Sequence, residues 1–187
     1  MRSIRAFAGM WLFLSLGLSV HADNSIPVHQ SLSATTFRTA EADWDGDMEG
    51  GNRSSGAITG TFGKATFTAQ ADIAPWDEST YCEFDPDTGA PVGIEFVWLT
   101  STIVTIQQNG DQLVSKLSSS PPSISCYNFV EDINRFKLFH DIQGGTGKFA
   151  GATGTTVMEG ETRRVDGTDQ DLFWAWTAEL KGTVNLP

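Results

Sequence analysis

Apolar and polar positions alternate along much of this chain. In residues 65–73, Phe67, Ala69, Ala71 and Ile73 fall on one face and Thr66, Thr68, Gln70 and Asp72 on the other. That period of two marks a strand with one side against a core. Residues 95–107 are dense in Val, Ile, Thr, Phe and Trp, Asn109-Gly110 is a favoured two-residue turn, and 112–117 returns, which predicts a hairpin. Further strands are predicted at 33–40, 57–62, 124–130, 136–142, 155–165 and 172–184. Between them lie an acidic, Gly-rich stretch at 41–51, a Pro-containing run at 75–92 that reads as a long loop, and a Ser/Pro connector at 118–123. Residues 23–32 are polar with one Pro and read as a loose N-terminal arm.

Roughly eight to ten short strands with turn signals between them, and no convincing helix, place the chain in the all-β class. The expected architecture is a closed, antiparallel, approximately eight-stranded β-barrel spanning residues 33–187 as a single domain. Closure is favoured over an open sheet because it removes exposed strand edges. The 187 residues suffice for one domain with a real core.

The first 22 residues change the compartment. Arg2 and Arg5 precede an apolar run over 6–20, and Val20-His21-Ala22 follows; this is the layout of a secretory signal peptide. The expected location is therefore secreted or periplasmic, with no membrane association once the leader is removed. Its removal takes away two of 12 Lys/Arg and none of 23 Asp/Glu, moving the formal net charge from −11 to −13. So acidic a surface repels phosphate backbones, and nucleic acid is not an expected partner. The chain has two cysteines, Cys82 and Cys126, an even pair that predicts one disulfide in an exported protein.

Alternating carboxylates in the 41–51 stretch invite a calcium reading. An EF-hand loop, however, needs Gly sixth and Glu twelfth, and counting from Asp43 these fall on Met48 and Ser54. A solvated acidic loop is the simpler expectation. Asn52-Arg53-Ser54 is also a glycosylation sequon.

The most constrained stretch is Gly144-Gly145-Thr146-Gly147-Lys148-Phe149-Ala150-Gly151-Ala152-Thr153-Gly154, with five glycines in eleven residues. A phosphate-binding P-loop is excluded because Phe149 follows Gly147-Lys148 and Ile142 stands five residues before Gly147. A dinucleotide fingerprint from Gly145 fails at Ala150. The expected role is a structural corner that folds the sheet over, using Gly144, Gly145, Gly147, Phe149, Gly151 and Gly154. This stretch resembles the G-G-[TS]-G-x-F-x-x-A-x-G signature of the allene oxide cyclase and dirigent-protein barrels, and every fixed position is present. The resemblance implies a calycin-like barrel with an apolar cavity, frequently trimeric in the plant members, so a homo-oligomer (trimer or dimer) is compatible with it. The signature contains no catalytic group, and none is carried over.

An eight-stranded barrel can hold one small ligand. Trp98, Phe136, Trp174 and Trp176 lie in predicted strands and are the expected ligand-binding residues, although the same aromatics could fill an ordinary core. His140, Glu95 and Tyr127 are the weak catalytic candidates: an imidazole suited to proton transfer near neutral pH, a carboxylate at a strand start, and a phenol beside Cys126. Glu159 and Glu161 share a strand face and read as solvated. No G-x-S-x-G or H-E-x-x-H occurs, and no cofactor or metal is called for. Binding of a small apolar or aromatic molecule is the leading expectation. The alternatives are a cofactor-free cyclase or isomerase in the same cavity, and a structural protein with a side-chain-filled barrel.

Overall fold

A computed structural model of the chain describes residues 24–39, 51–73, 80–167 and 171–187. The expected signal peptide at 1–22 and nearly all of the 41–51 stretch lie outside the described residues. Among the described residues ten strands follow one another: β1 (Ser25–Thr39), β2 (Asn52–Gly60), β3 (Gly63–Ile73), β4 (Tyr81–Phe84), β5 (Pro91–Gln107), β6 (Gln112–Leu117), β7 (Ile124–Asn128), β8 (Ile133–Gly145), β9 (Thr153–Gly167) and β10 (Asp171–Asn185). Every pairing is antiparallel, and β3 pairing with β5 closes the order β3-β2-β1-β10-β9-β8-β6-β5 into an eight-stranded barrel. The expected all-β barrel is the fold.

β5, seventeen residues long, is the spine of the wall. Its lower half is flanked by β3 and β6, with Ala65 opposite Gln107 and Gln112 opposite Ile106. Its upper half is flanked by β4 and β7, with Tyr81 and Tyr127 both opposite Ile94. The two short additional strands thus continue β3 and β6 upward and raise one side of the barrel rim. The sulfurs of Cys82 on β4 and Cys126 on β7 lie 1.94 Å apart, a disulfide across the outer face of β5. Gly93 lies beneath it: a Cβ there would stand 3.1 and 3.3 Å from the two sulfurs and 2.8 Å from Glu83 Cβ.

Two expectations are corrected. The arm at 23–32 is not loose, because β1 begins at Ser25 and pairs with β10 along its whole length. Val28, Gln30 and Leu32 are buried while His29 and Ser31 are exposed, so the strand alternation starts earlier than the polar composition suggested. Pro27 is tolerated because β2 reaches only to Gln30. His29, two residues on, turns its N–H and C=O to Thr61 on that side, so Pro27 has no ladder partner to disappoint there. The second correction concerns 75–92, where part of the expected loop is β4, a turn held by Asp85 accepting from the Thr88 N–H at 2.7 Å, and the start of β5.

The hairpin at 95–117 and the inward face of β3 are as the pattern predicts. The glycine corner has a different job from the one expected. Closure comes from the β3–β5 pairing, whereas the corner joins neighbouring β8 and β9 through a single 3-10 turn, Gly147–Phe149. This turn drives Phe149 into the lower end of the barrel, where it is wholly buried, and its ring meets Phe62 edge-on at 5.2 Å. Gly147 takes φ +57°, and a Cβ there would stand 1.7 Å from the Asp111 carboxylate, which accepts from the Lys148 N–H at 3.3 Å. The corner is a plug.

Candidate functional site

Above the plug the interior layers Leu32, Ile58, Phe67, Ile103 and Leu138, all buried. Higher still the side chains stop meeting, leaving a cavity of about 390 Å³. The interior is therefore not solid. Trp98, Phe136, Trp174 and Trp176 all line this space, so the four residues singled out as ligand-binding are brought together. Phe136 meets Trp176 edge-on at 5.9 Å, and Tyr127 meets Trp174 edge-on at 5.8 Å. Two indole N–H groups are already occupied by the protein: Trp176 donates to Thr36 Oγ1 at 2.9 Å, and Trp98 donates to Ser125 Oγ. Those rings offer an occupant their faces and edges, not their donors.

A bulge shapes the wall. The β3–β5 register shifts between Asp72 and Ile73, so that Trp98 and Ser101 both face the cavity with exposed Leu99 and Thr100 between them. Strict alternation would have sent one of the two outward.

The three catalytic candidates separate. Tyr127 lines the cavity near its rim and donates its hydroxyl to Asp132 Oδ1 at 2.6 Å. Burial, then the Asp132 hydrogen bond, push its pKa up to about 12, so it is a phenol at any physiological pH. Glu95 is opposite Cys126 on the outer surface, because its neighbour Phe96 takes the inward position. His140 faces inward but below the cavity, 1% exposed, with its Nε2 3.2 Å from Ser101 Oγ. Its Nδ1 has no partner, so no carboxylate orients the ring as a catalytic base requires.

Burial pulls His140 down to about 4, with Asp141 opposing only in part. The unfolded chain takes up this proton near pH 6.5 and the folded chain does not, so stability falls as pH drops from 6.5 towards 4. The loss attributable to this group is roughly 3 kcal/mol. Urea unfolding at pH 7.5, 5.5 and 4 should show the wild type losing about that much more than His140→Gln. Parallel pH profiles for the two proteins would refute the assignment.

A larger concavity, about 1,050 Å³, crosses the outside of the sheet. Several of its charged groups have partners: Lys137 with Glu159 at 2.6 Å, Arg135 with Glu131 at 2.9 Å, and Glu179 with the His29 imidazole at 2.6 Å. An open face of Ser, Thr and paired ions is a solvated wall, and the Glu159/Glu161 expectation agrees with it. The inner cavity is the stronger candidate because it is the more enclosed of the two and its wall is aromatic.

No family model, curated protein or solved structure matches this chain. The site therefore rests on its own geometry. Among the described residues no group of three His, Cys, Asp or Glu side chains could hold a metal ion. The sequon asparagine, Asn52, sits at the start of β2 and lines the cavity, a position where a glycan would block the mouth. Sequence reasoning missed Ser101, Asn134, Thr162 and Arg164, which also line the cavity. Thr162 lies in a polar stretch and Ser101 and Arg164 lie beside register shifts, whereas Asn134 is a polar side chain with no apolar signal of its own.

Proposed function

We propose that this protein is an exported β-barrel that binds one small apolar or aromatic molecule in its inner cavity. The observation that carries the reading is an aromatic-walled void of about 390 Å³ in a barrel whose other end is plugged by Phe149. A filled barrel would have no such space. Of the three acid–base candidates Tyr127 alone lines the void, as a phenol held by Asp132, while His140 and Glu95 do not, so the cyclase or isomerase reading has the weaker support. The Cys82–Cys126 pair and the basic-then-apolar leader support export, to the cell exterior or a periplasm. The glycine corner's resemblance to allene oxide cyclase and dirigent barrels supports a cavity-bearing relative of those folds.

Native mass spectrometry of protein purified from its host should show a bound species of a few hundred daltons at most. Ala69→Phe, which fills the cavity from β3, should lose that species while keeping the melting temperature within a few degrees. If nothing co-purifies and no apolar dye is taken up by the wild type, the binding function is wrong.

A further inference from the structure

The lining of the cavity does not share the acidity of the protein. The chain carries 23 acidic and 12 basic residues, yet among the described side chains lining the cavity Arg164 alone is charged. It comes from β9, directly across from Trp174. Its position is the rim, where its positive charge reaches the Tyr127 hydroxyl. The deeper lining, Ile103, Leu138 and Met158, is apolar. An occupant that matches this gradient has a flat, greasy body and one anionic end.

Size narrows the class. At roughly 30 Å³ for each water-sized group, a cavity of about 390 Å³ takes about thirteen, the bulk of two fused rings with a small substituent. Chains longer than about thirteen heavy atoms exceed this volume, and the tryptophan faces favour planar partners. We propose that the occupant is a two-ring aromatic acid, with its rings among Trp98, Trp174 and Trp176 and its carboxylate at Arg164. This rests on the binding function above and adds the chemical class of the ligand.

Arg164 has protein contacts of its own, and Asp132 stands at the same rim, accepting the Tyr127 hydroxyl. The carboxylate therefore joins an existing polar cluster. The guanidinium suits it because the fork geometry takes two parallel hydrogen bonds from a planar carboxylate. Asp132 supplies the selection against a second negative charge: a dianion would meet it.

The test is calorimetric titration of the full mature protein with 2-naphthoate, 2-naphthamide and 2-naphthylmethylamine, which share a ring system and differ in charge. The acid should bind about tenfold more tightly than the amide at low salt, and added salt should narrow the gap. Arg164→Met should erase the difference and leave the amide's affinity within about twofold. If the amide or the amine binds as tightly as the acid, or if the acid keeps its advantage in Arg164→Met, the assignment of an acid is overturned while cavity binding stands. If none of the three binds, both are overturned. Should Arg164→Met fail to fold, Arg164→Lys and the salt titration of the wild type decide: the acid's advantage must shrink in each.

Discussion

Phe149→Ala is expected to lower the stability of the barrel by about 3–5 kcal/mol, a drop in melting temperature on the order of 10 °C for a domain of this size. The ring has no exposed surface, touches Phe62 at 5.2 Å, and belongs to the same buried cluster as Val184, Leu113, Ile142 and Ala152. Nothing nearby can collapse into the space, because β8 and β9 are fixed by their own ladder and by the short turn between them. Phe149→Leu should recover most of the loss. Phe62→Ala, whose ring is only half-buried, should cost less than Phe149→Ala. The effect should stay local, since the cavity lies at the opposite end; the Phe149→Ala protein at low temperature should bind a cavity ligand as the wild type does. A melting temperature unchanged within 2 °C would mean that the corner is a connector and not a plug.

Removing the Cys82–Cys126 bridge should have an effect of similar size. The cysteines are 44 residues apart in sequence, and the chain-entropy model gives about 4 kcal/mol for a loop of that length. The structure locates the consequence. β4 is four residues long, pairs with β5 alone, and does so through two register shifts. Without the bridge it keeps that irregular ladder, the Arg135–Glu83 ion pair at 3.5 Å, and the hydrogen bonds between Thr80 and Glu95 at its start. The double variant Cys82→Ala/Cys126→Ala should therefore melt well below the wild type, and hydrogen exchange should rise first in residues 81–84. If the variant and the wild type unfold at the same urea concentration, the bridge constrains nothing of consequence.

Local patterns were readable where a strand has one greasy and one polar side. Phe67, Ala71 and Ile73 announced the inward face of β3, and Asn109-Gly110 announced the hairpin, with Gly110 at φ +88° and its N–H donating to Gln107 C=O at 2.9 Å. Two cysteines in an otherwise bridge-free chain left one pairing to expect. β4 was hidden because a four-residue strand between prolines carries too little pattern, and the start of β1 because Pro27 and Gln30 masked an alternation that Val28 and Leu32 maintain. The aromatic wall was legible residue by residue, but its convergence on a void was not.

The sequence by itself determined the class of structure: a period of two fixes strands and turn residues fix a hairpin, since each depends on neighbours within a few positions, and two cysteines leave one bridge to form. Only the tertiary structure decided what the inner side of β9 meets. Glu159 and Glu161 read as solvated, but Thr162, Arg163 and Arg164 are polar too, so no hydrophobic signal chooses Thr162 and Arg164 for a cavity wall. The choice is made by the register with β8 and β10 when the wall closes, and it turns Thr162 and Arg164 to the cavity and Glu159 and Glu161 to the outer groove. The void has the same origin, because an unfilled interior is a property of eight strands meeting and of no one of them alone.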